Sequence, residues 1–210
     1  MRVNSAPRRT SVQQAFRDLG TGLRLIYRNL GPMALASILW WFAAMSLVFL
    51  GPATLMLHRM ARTAATGDML SLREIGQSWR NDWAWSSIHS LGWLVGWLVI
   101  LGNAQFYSVV TGSPLALSLA LPFLLIWLAL GLFLYPAALG NETRTFRSTL
   151  RAALAHIVVS PARTVVMWVA CISITAVCLV VPILLFVWPS FLAAWGQASV
   201  LPPRPPVEPE

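Results

Sequence analysis

Apolar and polar positions fall in long blocks along this chain, not in strict alternation. After a basic, irregular start, Ser11 and Gln14 form a capping box. Phe16, Leu19, Leu23, Ile26 and Leu30 then recur at spacings of three and four, while Arg17, Arg24 and Arg28 lie off that stripe. This pattern predicts an amphipathic helix suited to a membrane surface. From Asn29 to Leu57 there is no charge. A span needs about 20 apolar residues, so one span is expected over about 33–57, kinked or ended at Gly51-Pro52. His58, Arg59 and Arg62 then mark an interface.

Residues 58–83 read as a polar loop. It holds a second capping box, Ser71 to Glu74, and a short interfacial helix with Leu72, Ile75, Trp79 and Trp83 on one face. The runs 84–104 and 115–138 predict two spans, and their connection, Gln105 to Ser113, carries no charge. That makes a hairpin with its tip on the non-cytoplasmic side. Residues 140–160 form a third amphipathic stretch, with Phe146, Leu150, Leu154, Ile157 and Val158 facing one way and Arg144, Arg147 and Arg151 the other. Ser160-Pro161 reads as an N-cap followed by proline at the first helical position. Residues 163–201 are almost wholly apolar. A single helix of that length would measure about 58 Å, so Pro182 and Trp188-Pro189 are read as a turn between two short spans.

The expected fold class is therefore all-α: a polytopic membrane helix bundle of about five transmembrane helices plus short amphipathic interfacial helices. Its parts are a basic N-terminal segment with an amphipathic helix, 1–30; a transmembrane domain, 31–201; and a Pro-rich tail, 202–210, extended and disordered. The spans lie at about 33–57, 84–104, 115–138, 163–182 and 184–201. Composition agrees, since 57% of the 210 residues are hydrophobic and 10% are charged, where a soluble domain carries about 25% charge. The first long apolar run starts too late for a cleavable signal peptide, so the first span reads as an uncleaved anchor.

The net charge is +8, and all 15 basic residues are arginine. They flank apolar runs, as in cytoplasmic membrane loops, and are not interleaved with exposed aromatics, so nucleic acid is not an expected partner. Orientation is the awkward point. Segments 58–83 and 140–163 each carry four arginines, and the hairpin between them puts both on one side. A single first span places the N-terminal segment, with six arginines, on the other. Either the charge rule fails there or the chain re-enters at Gly51-Pro52; the length of the run favours a single kinked span.

Several stretches in order carry a family resemblance. Gly51-Pro52-Ala53-Thr54 closes the first span, and an Arg-containing helix, a Gly67-Asp68 turn and the aromatic approach Trp79–Trp85 follow. Tyr135-Pro136 ends the third span; Leu150, Ala153, Leu154, Ala155 and His156 come next, then Ser160-Pro161-Ala162-Arg163-Thr164. Over about residues 12–200 this order resembles the YesL-like family of bacterial integral membrane proteins, a domain of unknown function. The resemblance implies a multi-pass protein of the bacterial plasma membrane, set near carbohydrate uptake. No catalytic or binding residues are established for that family.

The spans contain no Asp or Glu, and the only Arg, Arg163, lies at an edge. A carrier relaying protons through intramembrane carboxylates is thereby disfavoured. His89 is the ionisable group nearest a span interior, and Ser173 and Thr175 are further intramembrane polar candidates. Gly92 and Gly96 form a GxxxG, which serves packing within the bundle or a homo-oligomer face. Arg73, Arg80, Arg144, Arg147 and Arg151 are the candidate contacts for a partner or for membrane lipids. No HExxH, GxSxG or P-loop occurs, so no catalytic residue, metal site or cofactor is expected. Cys171 and Cys178, seven apart in one run, read as small buried hydrophobes. The expected function is a non-enzymatic accessory or scaffold protein binding a membrane transporter complex. The alternative is a bundle that carries a small solute itself.

Overall fold

A computed structural model describes residues 11–67, 72–113, 115–140 and 145–200. Among them the chain is all-α. In chain order the helices are α1 (Ser11–Arg28), α2 (Leu30–Ala44), α3 (Leu50–Thr66), α4 (Leu72–Thr111), α5 (Leu115–Leu139), α6 (Phe146–Val159), α7 (Pro161–Val180) and α8 (Trp188–Val200), with a 3-10 turn, Pro182–Phe186, before the last. Among the described residues three stretches are long and apolar enough to cross a membrane: Trp79–Thr111, Ser118–Leu139 and Pro161–Val180.

The first apolar run is not one kinked span. It folds as a hairpin of α2 and α3, broken at residues 45–49. Trp40 near the end of α2 donates to Thr54 Oγ1 near the start of α3 at 2.8 Å. Met33 and Ala36 share a buried cluster with Leu57 and Ala61, so the two helices run antiparallel. Proline is the cause. Pro52 has no N–H for the Val48 carbonyl, and its ring would clash with that carbonyl inside a helix. The helix therefore stops upstream, and Pro52 sits in the first turn of α3, where its missing donor costs nothing. Leu47 takes φ +51° in the break, a left-handed conformation that costs a branched residue about 1–2 kcal/mol.

The other boundaries shift for similar reasons. The interfacial helix expected before Trp83 is the opening of α4, which runs 40 residues without interruption. At about 60 Å it is twice the hydrocarbon thickness. The tip of the α4–α5 hairpin is correspondingly tighter, at Gly112 (φ +63°), and places Asn103 and Gln105 on the helix. Ser160 and Pro161 begin α7 as expected. The last run divides where expected, though into a 20-residue helix and a 13-residue one. The segments 1–10 and 202–210, Ser71 and Asp68 lie outside the described residues.

A short sequence recurs three times where this fold turns. Phe49-Leu50-Gly51-Pro52-Ala53-Thr54-Leu55, Phe133-Leu134-Tyr135-Pro136-Ala137-Ala138-Leu139 and Phe186-Val187-Trp188-Pro189-Ser190-Phe191-Leu192 share the pattern Phe-[Leu/Val]-x-Pro-[Ala/Ser]-x-Leu. The copies open α3, close α5 and open α8, and these three helices pack on one another. Each then receives a further helix: α4 on α3, α6 on α5 and α1 on α8.

Candidate functional site: a buried polar seam

Where α3, α4, α5 and α8 meet, the apolar fold encloses polar groups. Gly51 brings α3 against α4 so closely that a Cβ there would strike the Ser86 carbonyl and Ser87 Cα. Tyr135, beside Pro136, lays its hydroxyl across that junction. The hydroxyl lies 3.0 Å from Ser86 O, 3.4 Å from Gly51 O and 2.6 Å from Ser90 Oγ. Its one proton is best given to Ser86 O, so Ser90 donates to the tyrosine oxygen.

His58 stacks on Tyr135, with ring centroids 5.5 Å apart and planes 13° apart. Its Nδ1 is buried without a hydrogen-bond partner, as is the amide nitrogen of Gln197. His58 lies close to a backbone break. Pro136 has no N–H for the Leu132 carbonyl one turn earlier. Gly196 packs against that carbonyl, and a Cβ there would come within 2.9 Å of it and 3.4 Å of His58 Cε1. Ser37 and Ser190 form a second polar join, between α2 and α8. Ser190 donates to Met33 O at 2.8 Å and receives the Ser37 hydroxyl at 2.6 Å.

His89 is fully enclosed and satisfied. Its Nδ1 lies 2.8 Å from Trp85 O, a pure acceptor, so Nδ1 carries the proton. Nε2 then accepts from Thr149 of α6 at 3.3 Å. This is a neutral histidine tying α6 to α4. Thr175 accepts the Trp188 indole N–H at 2.8 Å and bonds back to Cys171 O. Ser173, in contrast, is exposed on α7 and takes no part in the seam. Cys171 and Cys178 are free thiols.

Gly92 and Gly96 serve packing inside the chain. A Cβ on Gly92 would lie 2.9 Å from the Phe146 ring, and one on Gly96 would enter the Trp127 ring. Around Gly96 the two helices clasp. Trp127 donates to Trp93 O at 2.8 Å, and Trp93 donates to Trp127 O at 3.2 Å. Trp93 is thus a packing residue of the bundle.

Charge lies at the rim. Arg59 pairs with Asp82, joining α3 to α4. Arg163 binds Asp18 Oδ2 through Nε at 2.7 Å and Nη2 at 2.5 Å, joining α7 to α1. Burial raises the Asp18 carboxyl above the usual carboxylate range, and Arg163 pulls it partly back. Arg62 donates to Leu139 O at 2.5 Å, holding the end of α5. Of the candidate contact arginines, Arg80, Arg147 and Arg151 are exposed. Arg144 and the Arg73 side chain lie outside the described residues. The faces of α6 differ from the expected ones. Leu154 and Val158 are exposed beside the arginines, while Thr149 and Ala153 are buried, and Leu150 and Ile157 pack against α5.

A cleft of about 170 Å³ between α2, α3 and α4 is lined by Ala36, Leu39, Trp40, Met56, Leu57 and Trp79, and is apolar. Among the described residues no three His, Cys, Asp or Glu side chains gather as metal ligands. The Tyr135 and His58 arrangement draws on residues up to 84 apart in sequence, beyond the reach of local pattern. The proline beside Tyr135 was the available signal. Compared with family models, curated proteins and solved structures, the chain has no match in any of the three.

Proposed function

We propose that this chain is a non-enzymatic accessory or scaffold protein of a bacterial plasma membrane, which presents a basic face to a membrane transporter complex. The observation that supports the reading is the division of α6. Thr149 and Ala153 are buried against α4 and α5, while Arg147 and Arg151 stand exposed beside Leu154 and Val158. A rigidly held face offering charge and apolar area together suits recognition of another protein. Carbohydrate uptake is the setting implied by the YesL-like resemblance. Affinity recovery of tagged protein from native membranes after crosslinking tests it. Recovery of a transporter permease from the wild type, lost on Arg147→Glu/Arg151→Glu with insertion intact, supports the reading. Recovery of the chain alone, or of the permease equally by both forms, contradicts it.

The alternative, transport of a small neutral solute by the bundle itself, is favoured by one observation: His58 Nδ1 in the seam and Gln197 Nε2 on α8 are buried without partners. Buried polar atoms of this kind suit a polar guest. Solute flux into liposomes holding purified protein, abolished by Gln197→Leu, would support it; absence of flux across a panel of sugars would count against it.

A further inference from the structure

Helix α1 has three faces, about a third of a turn apart, and the fold uses only one. The first is small. Ala15, Asp18, Gly22 and Ile26 are buried and dock the helix on α7 and α8. Trp195 fills the space beside Gly22 and donates to Leu19 O at 3.2 Å, and Asp18 holds Arg163. The second face is large and apolar: Phe16, Leu23 and Tyr27 are 64%, 54% and 82% exposed. The third carries Arg17, Arg24 and Arg28, all exposed.

The hairpins decide which membrane surface this helix meets. Charged residues are absent from 29–58, 83–141 and 164–203, and each of these stretches contains one turn-back of the chain. Because α3 returns beside α2, the two ends of the first stretch lie on one side. The second stretch returns through α5. In the third, the start of α7 and the end of α8 both meet α1, at Asp18 and Gly22. The arginines of the described residues therefore fall in segments on a single side, and the conflict over α1 disappears. An arginine-rich side is the cytoplasmic one, and the leaflet there is anionic.

We infer that α1 is a lipid-binding helix, seated on the cytoplasmic leaflet. Phe16, Leu23 and Tyr27 enter the headgroup boundary, and Arg17, Arg24 and Arg28 bind anionic headgroups. An apolar face next to a cationic one matches that surface in both chemistry and order. The small face leaves the fold's own contact intact while the other two are engaged. The inference is independent of the partner proposed for α6.

The test uses the full chain in nanodiscs, carrying a Tyr27→Cys label with an environment-sensitive fluorophore on a Cys171→Ala/Cys178→Ala background. Discs of phosphatidylcholine alone are compared with discs that also contain phosphatidylglycerol. The inference predicts a blue-shifted, water-shielded probe in the anionic discs, reverting on Arg17→Gln/Arg24→Gln/Arg28→Gln. A water-like probe in both compositions overturns it, and so does equal shielding in both or a crosslink from α1 to a protein without lipid dependence. Hydrogen exchange of unlabelled wild-type protein in the same discs covers a labelled variant that does not fold. Amides of α1 should then be protected more in anionic discs, with up to about 100-fold of that protection lost in the triple variant; identical exchange in both discs contradicts the inference.

Discussion

The α2–α3 hairpin, free of charge as far as His58, and the outer part of the α4–α5 hairpin are both largely apolar, yet they are held in different ways. The α4–α5 arms meet through shape. Gly96 and Gly131 make room for Trp127 and Trp93, and each indole donates to the other tryptophan's carbonyl. Around this clasp Leu98, Val99, Phe106 and Phe123 remain exposed, as arms facing lipid would. The α2–α3 hairpin is instead held by polar groups from distant segments: Ser190 on Ser37, the Tyr135 hydroxyl laid across the Gly51–Ser86 junction, and, at the rim, Asp82 on Arg59. Small residues let backbones approach where apolar groups surround them on all sides. Hydrogen bonds fix a short hairpin that has too little length to be specified by packing alone.

The comparison can be broken at its closest contact. Gly51→Val drives a side chain into the backbone of Ser86 and Ser87, which cannot swing aside. We expect a loss of about 3 kcal/mol or more, read as a fall of about 6–12 °C in thermal unfolding of the detergent-solubilised protein. Gly96→Leu displaces the Trp127 ring and breaks both indole bonds. Its cost should be about 2–3 kcal/mol, and hydrogen exchange should place the loosening in α4 and α5 while α2 and α3 stay protected. Tyr135→Phe keeps the ring on His58 but leaves Ser90 and the Ser86 carbonyl without their hydroxyl partner. We expect about 1–2 kcal/mol here, with the loosening in α3.

Two smaller effects sharpen the picture. Leu47→Gly relieves the left-handed residue in the α2–α3 turn, which is 57% exposed and so gives up little burial. Stability should rise by about 0.5–1 kcal/mol, and an unchanged or lower unfolding temperature would contradict the strain. His156 stacks on Phe133, and burial, helped by the nearby Arg163 cation, lowers its pKa. A depressed histidine stabilises the fold above its ordinary value of about 6.5, and that contribution is lost as pH falls through the lowered value. The unfolding temperature should fall further between pH 7.5 and 5 in the wild type than in His156→Phe, by a small margin because solvent screens this partly exposed ring.

Much of the fold was legible in the sequence. Periodicity placed α1 and α6, charge-free runs placed α4, α5 and α7, and Ser160-Pro161 marked a helix start. The break in the first run was not legible at its true place. Met45 to Phe49 contain neither glycine nor proline, and the cause, Pro52, acts on the carbonyl four residues before it. The faces of α6 were half legible, because apolar character alone counts Leu154 and Val158 as core, whereas the helical period sets them on the arginine side. The seam was largely hidden. His58 read as an interface marker, and Tyr135 read as the neighbour of a proline. Their partners come from other helices, which local spacing does not reveal. The thrice-repeated heptapeptide lay open, but at unequal intervals, and its meaning shows once the three prolines are seen at the turns of helices that pack together.

The central claim is that the first apolar run folds back on itself, which brings Arg28 and Arg59 to one side. The most direct test is a distance between spin labels at Asn29→Cys and Thr66→Cys, on the background lacking Cys171 and Cys178. For antiparallel α2 and α3 the account predicts about 20 Å or less. A separation of about 55 Å, the length of one continuous helix over the same residues, would contradict it.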